Sequence, residues 1–281
     1  MKIVTLVENY LWENENKDLK TQHGLSLYIE LEGINILFDT GQDNTFFENA
    51  KKLGIDLNRV DYLVLSHSHY DHVGGLRTFL DINKTSKIIV SKNIDERVYS
   101  KRLGFYKFIG IDQKLIDKYR DRFIFVDNFL QLEKNISFLT NTNFGGESLK
   151  GNAHLYKKSQ GKYLLDDFNH EIIMVIEEKK DNLTVFTGCS HGGILNMVKS
   201  VEDIYPNKTI TTLVGGFHLQ NNITQKLGEP RERVMEIAKT LKKIPHIYTG
   251  HCTGREGFKV LQEILKGQIS EFHTGKTISS K

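Results

Sequence analysis

The sequence predicts an α/β fold, and three observations carry that expectation. Strand-like and helix-like segments alternate through the second half of the chain, a hairpin pattern opens each half, and the apolar run LVLS ends directly in the ligand-rich cluster HSHYDH at 67–72. A chain of 281 residues with 39% apolar side chains can bury a substantial core, and one domain spanning 1–281 is expected. The formal net charge is only +3, and lysines are interleaved with acids, so neither a nucleic-acid nor a membrane partner is expected. No apolar run reaches the ~20 residues of a bilayer span, and MKIVTLVENY lacks the layout of a signal peptide, so a cytoplasmic location is expected. Two cysteines, Cys189 and Cys252, exclude a disulfide framework; both lie beside histidines, which points to site chemistry.

The elements follow in order. MKIVTLVEN reads as an opening strand, and Trp12 to Lys20 as an exposed loop. Leu25, Leu27, Ile29 and Leu31 alternate, turn at Glu32-Gly33 and return through Ile34, Ile36 and Phe38, a hairpin ending at Asp39-Thr40-Gly41. TFFENAKKLG is a short amphipathic helix stopped by Gly54, DYLVLS a strand, VGGLRTFLDIN the start of a helix and KIIVS a strand. From Lys92 to Arg122 the spacing suggests two short charged helices around Gly104 to Gly110, and RFIFVD and LQLEKNISFLT should pair as strands. The stretch 141–163, rich in Gly, Asn and Ser, is too long for an ordinary connection and reads as a lid or a mobile segment. Residues 92–160 form a variable insert that can cover the active site.

The second half begins with a hairpin turning at Asp181-Asn182 and continues with the helix ILNMVKSVEDIY and the strand TITTLVGGFHL. Pro230 opens a helix in its first turn, and HIYTGHCTG, the helix REGFKVLQEILKG and one closing strand, QISEFHTGKTIS, complete the chain. The order hairpin, ILFDTG, helix, YLVLSHSHYDH, helix is echoed by hairpin, TVFTGCSH, helix, TTLVGGFHL, helix. That echo suggests two stacked sheets related by a pseudo-twofold axis, with strand ends converging on one cleft and Cys189, His191 and His218 facing His67 to His72.

In an extended segment side chains two apart point the same way, so His67 and His69 can grip one ion while Asp71 and His72 turn to a second. Cys189 and His191 repeat that spacing after another apolar strand, and thiolate is a strong ligand for zinc or iron. Gly192 and Gly193 precede a helix and can offer amides to an oxyanion or phosphate, a substrate-binding role. His218 in GGFHL is expected to face substrate or handle a proton.

HSHYDH resembles the HxHxDH signature of the metallo-β-lactamase superfamily. The resemblance implies a four-layer αββα sandwich binding one or two divalent metal ions, zinc foremost, with iron or manganese as alternatives. It makes Asp39 the carboxylate that orients the metal loop from behind, Cys189 the occupant of the bridging-carboxylate position and His251 of TGHCTG the last ligand. A further histidine usual before the bridging position has no clear counterpart, so the third ligand of the first metal is His191 or one of Asp166, Asp167 and His170.

SHSHYDHVGG, TGCSHGGI, GGFHL and TGHCTG together are similar to the dihydropterin phosphate synthase-like branch of that superfamily. The expected activity is metal-dependent hydrolysis of a phosphorylated or ester-type small metabolite, with Asp71 and His218 as catalytic residues. The alternative is a transferase that condenses 6-hydroxymethyl-dihydropterin diphosphate with ribofuranosyl-aminobenzene phosphate; a metal-bound sensor or redox protein is the non-enzymatic reading. The partner is a small molecule, phosphorylated or pterin-like.

Overall fold

The computed structural model describes residues 1–11, 18–140, 149–221 and 224–279. It divides into two compact units, one of residues 1–125, 157–163 and 272–281, the other of 126–156 and 164–271.

The first unit begins with β1 (Lys2–Val7), β2 (Ser26–Leu31), β3 (Ile34–Phe38), α1 (Thr45–Lys52) and β4 (Tyr62–Val64). It continues through α2 (Tyr70–Val73), α3 (Leu76–Ile82), β5 (Lys87–Ser91), β6 (Arg97–Arg102), β7 (Phe105–Phe108), α4 (Gln113–Lys118) and β8 (Phe123–Val126). Next come β9 (Phe129–Glu133), β10 (Ile136–Thr140), β11 (Leu155–Ser159) and β12 (Lys162–Leu165). The chain then runs through β13 (Ile172–Glu177), β14 (Asn182–Phe186), α5 (Ile194–Ile204), β15 (Thr209–Val214), α6 (Arg231–Leu241) and β16 (His246–Thr249). It closes with α7 (Gly254–Leu265), β17 (Ile269–Glu271) and β18 (Thr277–Ser279).

The main sheet of the first unit has the order β18-β1-β2-β3-β4-β5-β8. The hairpin β2–β3 turns through Glu32 (φ 47°) and Gly33 (φ 92°), two successive left-handed residues as a two-residue I′ turn requires. β3, β4 and β5 then run parallel, Ile36 opposite Tyr62 and Leu63 opposite Ile88. The connections carry α1 and α3, whose Phe46, Ala50, Leu76, Phe79 and Leu80 share one apolar cluster with Leu37, Leu63 and Ile88. At ~25 cal/mol per Å2, burial of such side chains is the main favourable term in folding.

The second unit repeats the plan in the order β17-β16-β15-β14-β13-β10-β9. An antiparallel hairpin β13–β14 is followed by parallel β15 and β16, with α5 and α6 on the connections. Met197, Val201, Val234, Leu241 and Leu261 of the helices pack with Val185, Leu213 and Ile247 of the strands. The expected echo between the halves is therefore present as connection order. In both units the ligand-type residues follow the carboxyl ends of parallel strands, where open α/β sheets place their sites.

Several local expectations are corrected. The first of the two helices foreseen between Lys92 and Arg122 is instead the hairpin β6–β7, turning at Leu103 (φ 49°) and Gly104 (φ 84°). The β-favouring run Val98-Tyr99 and the turn glycine outweigh the helical spacing of Ile94 and Val98. RFIFVD does not pair with LQLEKNISFLT: β8 lies beside β5, while LQLEKNISFLT is itself the hairpin β9–β10. The closing strand is two strands, β17 in one sheet and β18 in the other. Pro230 caps α6 from just outside its first turn. Of the expected lid stretch, 141–148 lie outside the described residues, 150–154 form a 3-10 turn, and β11 and β12 follow. The loop expected from Trp12 to Lys20 is described only from Asp18, and Leu19 is buried. Among the described residues no helix is long and apolar enough to cross a membrane.

The junction of α2 and α3 depends on a glycine. A Cβ on Gly74 would lie 2.1 Å from the Gln42 carbonyl oxygen and 2.6 Å from that of Tyr70. Gly74→Ala is expected to lower unfolding free energy by about 1–3 kcal/mol, the overpacking range. Gly33→Ala, whose Cβ would meet nothing within 4 Å, should lose about 1 kcal/mol through its positive φ alone. Urea unfolding of the two variants checks the order.

Candidate metal centre

The first unit builds its ligands around one buried carboxylate. Asp39 leaves β3 with φ 61°, a left-handed conformation that Asp tolerates, and its amide donates to the Val64 carbonyl at 2.8 Å. Its Oδ1 accepts from the Ser66 amide at 2.7 Å. Its Oδ2 accepts from the Ser66 hydroxyl at 2.7 Å and from His72 Nδ1 at 2.6 Å. Asp39 and His72 are both fully buried, so the carboxylate exchanges hydration for three charge-assisted hydrogen bonds, each worth roughly 1.5–3 kcal/mol.

The network fixes tautomers. Ser66 has one hydroxyl proton, and Asp39 receives it, so the contact of 2.9 Å between Ser66 Oγ and His67 Nδ1 has the imidazole as donor. His67 and His72 thus both carry the proton on Nδ1, and Nε2 is the nitrogen with which each can ligate a metal. This is the arrangement metal-binding histidines require. The rings of His67 and His69 lie 4.7 Å apart and those of His67 and His72 4.2 Å. Asp71 Oδ2 is 3.8 Å from His72 Nε2. Buried imidazoles with a carboxylate at this spacing fit a divalent ion of the zinc, iron or manganese type.

His23, whose spacing in the sequence marks no ligand role, joins this group. Its Nε2 lies 3.2 Å from Asp71 Oδ2. The adjoining Gly24 (φ 145°) explains the approach: a Cβ there would sit 2.4 Å from the Asp71 carbonyl oxygen, which also accepts from the Leu25 amide at 3.3 Å. The His-Gly pair before the first hairpin was the available signal.

In the second unit His191 is held with equal care. Asn152 Nδ2 donates to the His191 carbonyl at 2.8 Å, which fixes the amide's orientation; its Oδ1 then accepts from His191 Nδ1–H at 3.1 Å. Phe168 stacks on the imidazole, centroids 4.8 Å apart and planes 8° apart. Nε2 is again the ligating nitrogen. Asn152 and Phe168 could not be found from sequence, because nothing in their spacing marks a partner dozens or scores of positions away.

Glu171, also unforeseen, anchors the same loop. Its two oxygens accept from the His191 and Gly192 amides, both at 2.8 Å, and burial pushes its carboxyl up to about 7 against the opposing pull of those bonds. The amide of Gly193 donates to the Ser190 carbonyl at 2.9 Å. Of the two amides expected to meet a substrate, that of Gly192 is thus bonded here to the Glu171 carboxyl and that of Gly193 closes the turn from Ser190.

Cys189, His218 and His251 are buried in this unit. The His218 ring lies 4.2 Å from that of His191, and a Cβ on Gly151 would come within 2.9 Å of His218 Nε2. Cys252 Sγ accepts from the His218 amide at 3.3 Å and lies 3.6 Å from the Cys189 carbonyl oxygen. Burial raises the Cys252 thiol, but contacts with Cys189, His218 and His251 outweigh it and bring the group well below its ordinary range. Of the alternative ligands, Asp166 Oδ2 pairs with His170 Nε2 at 3.2 Å, both side chains buried, while Asp167 is exposed. Ser190 (φ 57°), His218 (φ 49°) and His251 (φ 50°) share the left-handed conformation of Asp39. Non-glycine residues there cost on the order of 1–3 kcal/mol each, and such strain clusters at functional sites.

The profile of the metallo-beta-lactamase superfamily matches residues 20–191. The chain belongs to the metallo-β-lactamase superfamily. A relative from Methanocaldococcus jannaschii, named 7,8-dihydropterin-6-methyl-4-(β-D-ribofuranosyl)-aminobenzene-5′-phosphate synthase, is 34% identical over 99% of this chain and 96% of its own. The crystal structure of a metal-dependent hydrolase of the β-lactamase superfamily superposes with a TM-score of 0.83 at 26% identity, over 100% of this chain and 99% of the other. Human tRNase Z, short form, shares the fold at a TM-score of 0.55 and 12% identity, over 99% of each chain. The expected α/β metallo-β-lactamase fold is therefore present, and the protein is a metal-dependent hydrolase or transferase of that superfamily.

Two outcomes test the anchoring groups. Asp39→Asn should keep the fold but weaken metal binding by about 10–100-fold, since it removes the acceptor charge behind His72; a chelator-competition titration measures it. Glu171, raised from 4.5 to about 7, holds a proton in the native state that the unfolded chain has released across that window. Its contribution to stability therefore grows as pH falls from about 7 to 4.5. The wild-type minus Glu171→Gln difference in unfolding free energy of the metal-free protein should rise over that window and flatten below it.

Proposed function

We propose that this protein is a pterin-linked synthase: it joins a dihydropterin bearing a methylene diphosphate to an aminobenzene carrying a ribofuranosyl phosphate. The single observation that carries this reading is 34% identity with the M. jannaschii synthase across 99% of the chain. The proposed ligands of one or two divalent ions, zinc foremost, are His67, His69, Asp71, His72, Cys189, His191 and His251. The metal-ready tautomers of His67, His72 and His191 support that set. When bound, the ion supplies Lewis-acid polarisation of phosphoryl oxygens and neutralises charge on the departing group.

The chain's own groups then divide the remaining tasks. The arylamine nitrogen forms a bond to the pterin methylene carbon while the carbon–oxygen bond to diphosphate breaks, the electron pair leaving with diphosphate. Asp71 takes the proton released by nitrogen, and His23, 3.2 Å from its Oδ2, holds that carboxylate in place. Asp39 keeps His72 oriented, and Asn152 keeps His191 oriented, so neither ring reorganises during turnover. His218 is the second proton-handling group in this reading.

A hydrolytic reading is favoured by the superposition on the metal-dependent hydrolase, TM-score 0.83. The two are separated by one assay of metal-replete protein. The synthase is expected to release diphosphate only when both the dihydropterin diphosphate and the arylamine are present, in step with the joined product seen by mass spectrometry. Release from the pterin substrate alone, at the same rate, would establish hydrolysis instead. His67→Ala should lower either activity by at least about a hundredfold, as loss of an electrostatic contribution of roughly 3 kcal/mol implies.

A further inference from the structure

The hairpin β6–β7 carries a feature that neither the fold nor the chemistry above uses. Among the described residues of this unit, three two-residue turns adopt the same left-handed pair: Glu32-Gly33 (φ 47° and 92°), Gln160-Gly161 (47° and 79°) and Leu103-Gly104 (49° and 84°). The first two place a polar residue at the strained, solvent-facing position. The third places leucine there, 97% exposed, with Phe105 beside it 81% exposed. An Asn would suit this turn better on both counts, since it tolerates positive φ and hydration. Leu103 is unfavourable for conformation and for solvation at once, the kind of outlier from which function is properly inferred.

The surroundings of that tip are cationic. Residues 97–108 contribute four Lys and Arg, residues 157–163 contribute three Lys, and neither segment contains an acid. β11 and β6 are neighbours in the small sheet β12-β11-β6-β7, so the two segments share one surface. The acids lie at its margin, Asp95 and Glu96 before β6 and Asp166 and Asp167 after β12, and Glu96 is 3.3 Å from Lys157. In the hairpin register Arg102 stands opposite Phe105 and Lys107 opposite Ser100, a collar directly behind the apolar tip.

We propose that this hairpin is an interfacial anchor that docks the protein onto an anionic lipid bilayer, with Leu103 and Phe105 entering the acyl boundary and the Lys and Arg collar meeting the headgroups. Apolar tip and basic collar are the two signals that reversible membrane attachment combines. Single-stranded nucleic acid fits less well. Of the aromatic rings on this surface, Tyr106 and Tyr163 already stack on each other at 3.7 Å and Phe108 packs edge-on against Tyr99 at 5.5 Å, which leaves Phe105 as the exposed ring at the tip, short of the row of rings on which successive bases stack. Leucine at the foremost position has no ring to stack. Self-association about a twofold through this face would oppose like charges. The proposal does not depend on which reaction the metal centre performs.

The test is flotation of the full, metal-replete chain with vesicles. Wild type should bind vesicles of phosphatidylcholine mixed with phosphatidylserine, not phosphatidylcholine alone, and should be released by high salt. Leu103→Asn should bind about tenfold more weakly while its melting temperature stays equal or rises, because the turn is relieved while apolar area is lost. Arg102→Ser and Lys107→Ser should each weaken binding about fivefold. Absence of flotation overturns the proposal, as does undiminished vesicle binding by Leu103→Asn. So does a result in which the hairpin binds a single-stranded RNA oligomer, or forms a dimer that Leu103→Asn dissolves, without binding vesicles.

Discussion

A carboxylate without water is costly unless hydrogen bonds replace its hydration, and Asp39 meets that condition with three donors from the segment it must organise. The Ser66 amide and hydroxyl bind it at the end of β4, and His72 binds it from α2. The polypeptide between them, which carries His67, His69 and Asp71, is thereby closed into a loop with fixed ends. The same carboxylate determines which nitrogen of two histidines bears a proton. Loop geometry and ligand chemistry follow from one side chain.

The second unit reaches a similar result by other means. Glu171 ties down the amides at His191 and Gly192, Asn152 orients the imidazole, and Phe168 stacks on it. A neutral amide here stands where the first unit uses a carboxylate, so His191 is positioned without the added basicity that Asp39 gives His72. The left-handed backbone at Asp39, Ser190, His218 and His251 has one physical origin. Each residue lies just beyond a parallel strand, where the chain must turn sharply while keeping its amide or side chain inside. Packing of the flanking strands and helices supplies the stabilisation that offsets the strain.

The contrast between the metal centre and the β6–β7 hairpin separates two uses of strain. At the centre, strained residues are buried and held by several partners. At the hairpin, Leu103 is strained and exposed, so no packing among the described residues compensates it. Cations that are diluted by acids along the sequence become concentrated there, because β11 pairs with β6.

The sequence by itself determined the hairpins at the start of each half, the alternating strands and helices, and the ligand-bearing loops. Periodicity and turn residues are local signals, and HSHYDH combines ligand types that few other contexts bring together. Asp39 was readable because it ends a strand pattern in a recognised motif. The tertiary structure alone decided that Ser66 joins Asp39 to His67, that His23 supports Asp71, and that Asn152, Phe168 and Glu171 fix His191 and its turn. It also turned the expected anion-binding amides of Gly192 and Gly193 toward Glu171 and Ser190, moved β8 away from β9, and divided the final segment between two sheets. These are contacts between residues far apart in the chain, set by which strand pairs with which and by which buried donor must find an acceptor. No spacing along one dimension encodes them.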